Sequence, residues 1–227
     1  MLFISSSFIA CKKDKEKQSE CRVTRLIRDN GQTYDFTYGD DGKLKSMLSL
    51  PNNELSSFSY NGNKTTVNVT KNGNFNLKLF VTNNAAGLAT NILIETLASG
   101  KDWFNQAITY EGQKIVSNEV TDSGGNDSAI ASYIWKDGNP SVLINDGDIF
   151  HYEYYTEKPF QPGDWRDIQQ LIGGYRIYQY QNLLQSSEIN GNKTYYTYKF
   201  DESGRIIQST STSKNISTVF DIKYECN

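Results

Sequence analysis

Along most of the chain apolar and polar residues alternate with a period of two. In Tyr196-Thr197-Tyr198-Lys199-Phe200 the rings at 196, 198 and 200 share one face of an extended strand. Asp201-Glu202-Ser203-Gly204 then reverses the chain. Asp at the first turn position accepts from the backbone just beyond it. Gly at the fourth takes the positive φ that a type I turn with a bulge requires. Arg205 to Gln208 leads away, so the predicted unit is a β-hairpin. Asp35 to Leu44, around Asp41-Gly42, is nearly the same unit, and Phe58 to Lys64 is a shorter one with Asn61-Gly62 at its turn. Looser copies lie around Asn30-Gly31, Gly87, Glu111-Gly112, Asp137-Gly138 and Asn190-Gly191.

Turn signals spaced by roughly 10 to 15 residues between short β-rich runs favour an all-β fold over an α/β one. The expected architecture is an antiparallel meander of a dozen or more short strands forming a strongly twisted or curled sheet. A closed barrel or a two-layer sandwich is the alternative. An integral outer-membrane barrel fits less well, because segments such as Thr65 to Thr70 lack a sustained lipid-facing apolar alternation. The rhythm breaks between Pro159 and Gln185. There Asp164 can cap a short helix over 164–172, with Trp165, Ile168, Leu171 and Ile172 on one face and Gly173-Gly174 as its stop. Such a helix either plugs one end of the sheet or, with Phe160, Trp165 and Tyr175, lines a ligand groove. Tyr175, Tyr178 and Tyr180 are expected to restart strand-like sequence.

The strand–turn unit resembles the YD-type repeats, in which an aromatic-x-aromatic pair is followed by Asp, then Gly-Arg or Gly-Lys and an aliphatic residue. Tyr198 to Ile206 matches with Gly-Arg and Phe36 to Leu44 with Gly-Lys. Over residues 21–227 the chain looks like the uncharacterised Bacteroidetes-type envelope lipoproteins built from such hairpins. The resemblance implies architecture and an envelope location, since function does not follow from fold.

The N-terminal segment agrees. Met1 to Ala10 is apolar or Ser throughout and leads through Ala10 to Cys11 and then Lys12-Lys13-Asp14-Lys15-Glu16-Lys17. This resembles a lipoprotein signal peptide over 1–10, without its usual basic start, with Cys11 as the residue to be acylated. The other reading is an ordinary N-terminal strand. Ten residues are too few for a transmembrane helix, which needs about 20. Residues 11–20 would then be the lipidated Cys and a disordered tether, and 21–227 a single hairpin-repeat domain. The expected location is the outer membrane, as a lipoprotein on its periplasmic or surface face.

Composition narrows the chemistry. With 15 Tyr and 11 Phe among 227 residues, rings carry much of the burial. A net charge of -3 with both signs interspersed lacks the basic face that nucleic acid demands. Cys21 and Cys226 stand at the two ends of the domain. In an oxidising envelope they can form a disulfide joining first strand to last, or they remain two buried thiols. No metal-ligand spacing, phosphate loop or cofactor motif is present, and the Asp/Asn/Gly runs at 122–127 and 145–148 read as hairpin turns. His151 and Glu153 share one side of a strand, and no nucleophile elbow accompanies them.

These features point to a non-enzymatic binding or scaffold protein, held at the membrane by lipid and recognising glycan, peptide or an envelope protein. The rival is an envelope glycan hydrolase, with its carboxylates drawn from Asp146, Asp148, Glu153, Asp164 and Asp167.

Overall fold

The computed structural model describes residues 21–125 and 129–226. The predicted signal peptide at 1–10, the lipidation residue Cys11 and the tether to residue 20 lie outside the described residues. The described residues form sixteen strands. The first half comprises β1 (Cys21–Arg28), β2 (Thr33–Tyr38), β3 (Leu44–Leu50), β4 (Glu54–Asn61), β5 (Lys64–Lys71), β6 (Asn74–Asn83), β7 (Ala89–Glu95) and β8 (Trp103–Glu111). The second comprises β9 (Lys114–Asp122), β10 (Ala129–Lys136), β11 (Asn139–Asn145), β12 (Asp148–Pro159), β13 (Asn182–Ile189), β14 (Asn192–Phe200), β15 (Ile206–Ser213) and β16 (Ile216–Cys226). Each pairs antiparallel with the next, and β1 pairs with β16 to close a barrel. The curled sheet therefore curls all the way round, which is the closed-barrel alternative of the sequence reading.

The hairpin turns form as their chemistry dictates. At Asp201 the backbone N–H donates to the Arg205 carbonyl at 2.9 Å, and the Asp201 carboxylate accepts from Ser203 and Arg205 N–H groups, both at 2.9 Å. Gly204 takes φ 80°, and the register slips between Lys199 and Phe200, as a bulge requires. Gly39 and Lys43 make the matching bond in the β2–β3 turn at 2.9 Å.

Residues opposite each other in the ladder share a face, so register separates the two surfaces of the wall. Inward lie Leu26, Phe36, Met47, Val67, Val81, Ile92, Ile108, Ile115, Ile206 and Ile222, grouped in two apolar clusters. Outward, β5 presents Thr66, Asn68 and Thr70. β12 to β14 present His151 and Glu153, paired across the ladder with Glu188 and Ser186, and then Lys193. Apolar exceptions are Ile130, Ile134, Ile144 and Ile149 on β10–β12, and Leu55 and Phe75, which flank the outward Thr70 on β4 and β6.

Sixteen strands enclose a lumen far wider than wall side chains can fill; barrels of that size leave a channel unless something plugs them. Here residues 160–181, between β12 and β13, supply the filling. Their helix, α1 (Trp165–Gly173), starts at Asp164, and Gly174 closes it in the left-handed region at φ 77°, its N–H reaching the Gln170 and Leu171 carbonyls. Ile168, Trp165, Leu171 and Ile172 pack on one cluster, Tyr175, Ile177 and Tyr178 on the other. The helix bridges separate arcs of wall. A Cβ at Gly163 would meet Tyr224 Oη at 2.7 Å and Ile222 Cδ1 at 2.8 Å, and one at Gly174 would meet Phe58 Cε1 at 2.8 Å. Only glycine allows either approach.

Tyr175, Tyr178 and Tyr180 do not restart the sheet. Residues 175–180 run outside any strand, as part of the plug. The Arg176 carbonyl accepts from Ala89 N–H at 2.7 Å and the Ile177 carbonyl from Tyr110 Oη at 2.7 Å. The neck of the insertion is tied by Phe160 N–H to the Gln181 carbonyl at 2.7 Å. The buried Asn139 holds it from the side, its Oδ1 accepting from the N–H groups of Gln181 and Asn182 at 2.9 and 3.0 Å.

Candidate functional site

Asp164 fixes the plug to the wall. Its carboxylate has no exposed surface. Oδ1 accepts from Arg166 N–H at 2.9 Å and from the Tyr180 hydroxyl. Oδ2 accepts from Leu184 N–H at 2.9 Å and from Tyr198 Oη at 2.8 Å. One helix cap thus doubles as a tie to β13 and β14. Burial, reinforced by the Asp164 charge, raises both phenols well above the ordinary tyrosine value, so they remain protonated donors. Asp167, also buried, accepts from Gly163 N–H at 3.1 Å and pairs with Arg176 at 3.0 Å.

Three spaces among the described residues lie between this plug and the wall. The largest, about 580 Å³, opens at the rim that carries the two ends of the ladder and the β2–β3, β4–β5 and β6–β7 turns. Phe58, Tyr60, Leu171 and Tyr175 form its apolar surface, and Lys43, Asn63, Asn83, Asn84, Gln170 and Arg176 its polar one. Tyr60 is held by its hydroxyl, which donates to the Leu44 carbonyl at 2.7 Å, and Lys43 Nζ sits 5.1 Å from its ring centroid. Two smaller spaces lie towards the opposite rim. One, about 300 Å³, is lined by Tyr34, Met47, Val69, Leu79, Ile172 and Tyr175 among others. The other, about 290 Å³, lies beside Arg166 and is walled by Leu143, Phe150, Tyr152, Trp165, Tyr178 and Tyr196 among others.

The predicted ligand groove is thereby split. Tyr175 borders the 580 and 300 Å³ spaces, Trp165 the 290 Å³ space on the other side of the helix. Phe160 packs edge-on against Tyr180 in the neck, ring centroids 4.9 Å apart. Cys21 and Cys226 are joined by a disulfide and are also opposite each other in the β1–β16 ladder.

The carboxylates named for the hydrolase reading are not gathered at one cleft. Asp146 and Asp148 lie at the β11–β12 turn, where Asp146 has φ 48°. Glu153 faces outward and accepts from Lys193 Nζ at 2.7 Å and Ser186 Oγ at 2.6 Å. Asp164 and Asp167 are committed inside the plug. His151 sits on the outer wall opposite Val142 and Glu188. Asp122 Oδ1 accepts from Gly124 and Gly125 N–H at 2.8 and 3.0 Å, so its oxygen serves the turn. Among the described residues no cluster of metal-ligating side chains occurs.

Arg166, Tyr60 and the asparagines of the large cleft were absent from the sequence-level candidates. The asparagines belong to hairpin turns, where backbone needs alone explain them, and only closure of the barrel brings three turns to one rim. Arg166 is in a helix expected to bury one face, whereas a helix inside a lumen meets walls on several sides.

No family model matches the chain, and no curated protein matches its sequence. Solved structures do. A porin-like protein from Bacteroides uniformis matches with TM-score 0.62 and 10% identity over 89% of this chain and 98% of that one. A porin-like protein from Bacteroides vulgatus matches with TM-score 0.60 and 14% identity over the same shares. The likeness is one of fold.

Proposed function

We propose that the chain is a non-enzymatic, lipid-anchored binding protein of the outer membrane, and that its large rim cleft holds a neutral glycan. The observation that carries this reading is the sidedness of the wall. A bilayer-spanning barrel needs an outward apolar band about 25 Å tall and tolerates a polar interior. This barrel has its two apolar clusters inside, and its outer face carries Thr66, Asn68, Thr70, His151, Glu153, Glu188 and Lys193. The outward apolar residues, among them the four isoleucines on β10–β12 and Leu55 and Phe75 on β4 and β6, form separate patches between these polar positions and not a continuous band. Such a barrel stands in water, and attachment falls to the acyl chains on Cys11, each buried methylene adding about 0.8 kcal/mol.

The cleft favours a sugar for two reasons. The rings of Tyr60 and Tyr175 offer flat apolar faces. The amides beside them have unspent ends. Asn84 and Gln170 use their oxygens on backbone N–H groups, at 2.9 Å or longer, and Asn63 and Asn83 use their nitrogens on each other's carbonyls, at 3.1 and 3.3 Å. That leaves two amide nitrogens and two amide oxygens for a ligand rich in hydroxyls. Titrating the purified chain calorimetrically with neutral oligosaccharides tests the reading. Saturable binding is expected to weaken about tenfold in Tyr60→Ala and in Asn84→Ala. No saturable binding, or binding indifferent to both changes, overturns it.

A further inference from the structure

The second inference concerns the other side of the helix and stands apart from the rim cleft. Arg166 is 6% exposed, yet no carboxylate pairs with its guanidinium among the described residues. Its near partners are phenols. Nη1 donates to Tyr178 Oη at 2.8 Å, and Cζ lies 3.8 Å from the Tyr152 ring centroid and 5.1 Å from that of Tyr178. Ring faces favour a cation, but they do not neutralise it. The carboxylates nearest in sequence are spent: Asp164 on its four donors, Asp167 on Arg176 and Gly163. Glu153 and Glu188 face the outside of the wall.

A guanidinium does not lose its proton, so burial cannot be relieved by deprotonation. An enclosed, unpaired charge is costly, and proteins keep one where a counter-ion completes it. Arg166 borders the 290 Å³ cavity, large enough for a ligand of one ring or a short alkyl chain. We infer that this cavity binds a small monocarboxylate with an apolar or aromatic body, its carboxylate on the Arg166 fork and its body against Leu143, Phe150 and Trp165. A planar carboxylate matches the fork with two parallel hydrogen bonds. A single cation balances a monoanion, whereas a phosphate dianion would bring excess charge into a cavity whose lining holds one cation.

Calorimetry on the full chain with benzoate, 3-phenylpropionate, octanoate, 3-phenylpropionamide and inorganic phosphate is the test. At least one acid is expected to bind one-to-one with Kd at or below about 1 mM, and the amide at least about tenfold more weakly than its acid. Arg166→Gln should remove the preference for acid over amide. Because that change alters a buried charge, a second variant is included: Leu143→Trp, which fills the cavity, should abolish acid binding while the circular dichroism spectrum and oligosaccharide binding stay as in the parent. Four results would each overturn the assignment: no acid binding at about 10 mM, amide binding equal to acid, phosphate preferred to every acid, or acid binding intact in Leu143→Trp.

Discussion

The wall and the plug are held together by different means. Each wall strand pairs with its neighbour in sequence, and the single exception is the β1–β16 seam. The plug depends on partners far along the chain: Tyr110 on Ile177, Ala89 on Arg176, Ser209 on the Gly163 carbonyl, and Tyr198 and Leu184 on Asp164. The wall is repetitive and locally specified; the plug is unique and specified by convergence. Short hairpins can be added around a ring without limit, but the ring they make is too wide to have a core. A short non-repeating insertion turns it into a packed domain.

That contrast can be broken in stages. Asp164→Ala strands four donors in an apolar lumen and is expected to cost about 4 kcal/mol in urea unfolding. Ile168→Ala, at a side chain 1% exposed where helix meets wall, should cost about 3 kcal/mol by leaving a cavity. Removing the disulfide by Cys21→Ser with Cys226→Ser frees a loop of 205 residues and should cost about 2 to 3 kcal/mol. Gly204→Ala meets no neighbouring atom and suffers only from φ 80°, so about 1 kcal/mol is expected. Wall-turn changes as costly as the Asp164 change would erase the distinction.

The smallest effect is one of pH. Burial raises the Asp167 carboxyl above its usual value, against the pull of Arg176 and of Gly163 N–H. A raised folded-state value favours the folded chain fully below the unfolded value and loses that advantage as pH rises through the raised one. Measured against Asp167→Asn, the parent should therefore lose relative stability as pH climbs from about 4 towards neutrality. A parallel pair of stability curves would contradict this.

How much of this was legible in the sequence follows the same division. The turns at Asn30-Gly31, Asp41-Gly42, Asn61-Gly62, Asp137-Gly138 and Ser203-Gly204 carry their own chemistry, and each marks the junction of two consecutive strands. Asp164 and Gly174 likewise bound the helix as their residue types require. Closure of the ring was open, because period-two alternation looks the same in a curled sheet, a sandwich and a barrel. The strand-like reading of Tyr175 to Tyr180 failed because these tyrosines find their partners inside the lumen and not along a ladder: Tyr175 and Tyr178 pack on one apolar cluster, and Tyr180 donates to Asp164. The buried role of Arg166 depends on which walls surround it, and single-sequence spacing does not contain that.

The proposed function holds that this barrel stands outside the bilayer and is attached to its membrane through an acylated Cys11. Fractionation of host cells expressing the native chain and Cys11→Ala, followed by an alkaline wash of the membranes, tests it directly. The account predicts native chain in the washed membrane pellet and folded Cys11→Ala in the soluble fraction. Cys11→Ala retained in the washed membranes would mean that the wall itself lies in the bilayer, and the account would fail.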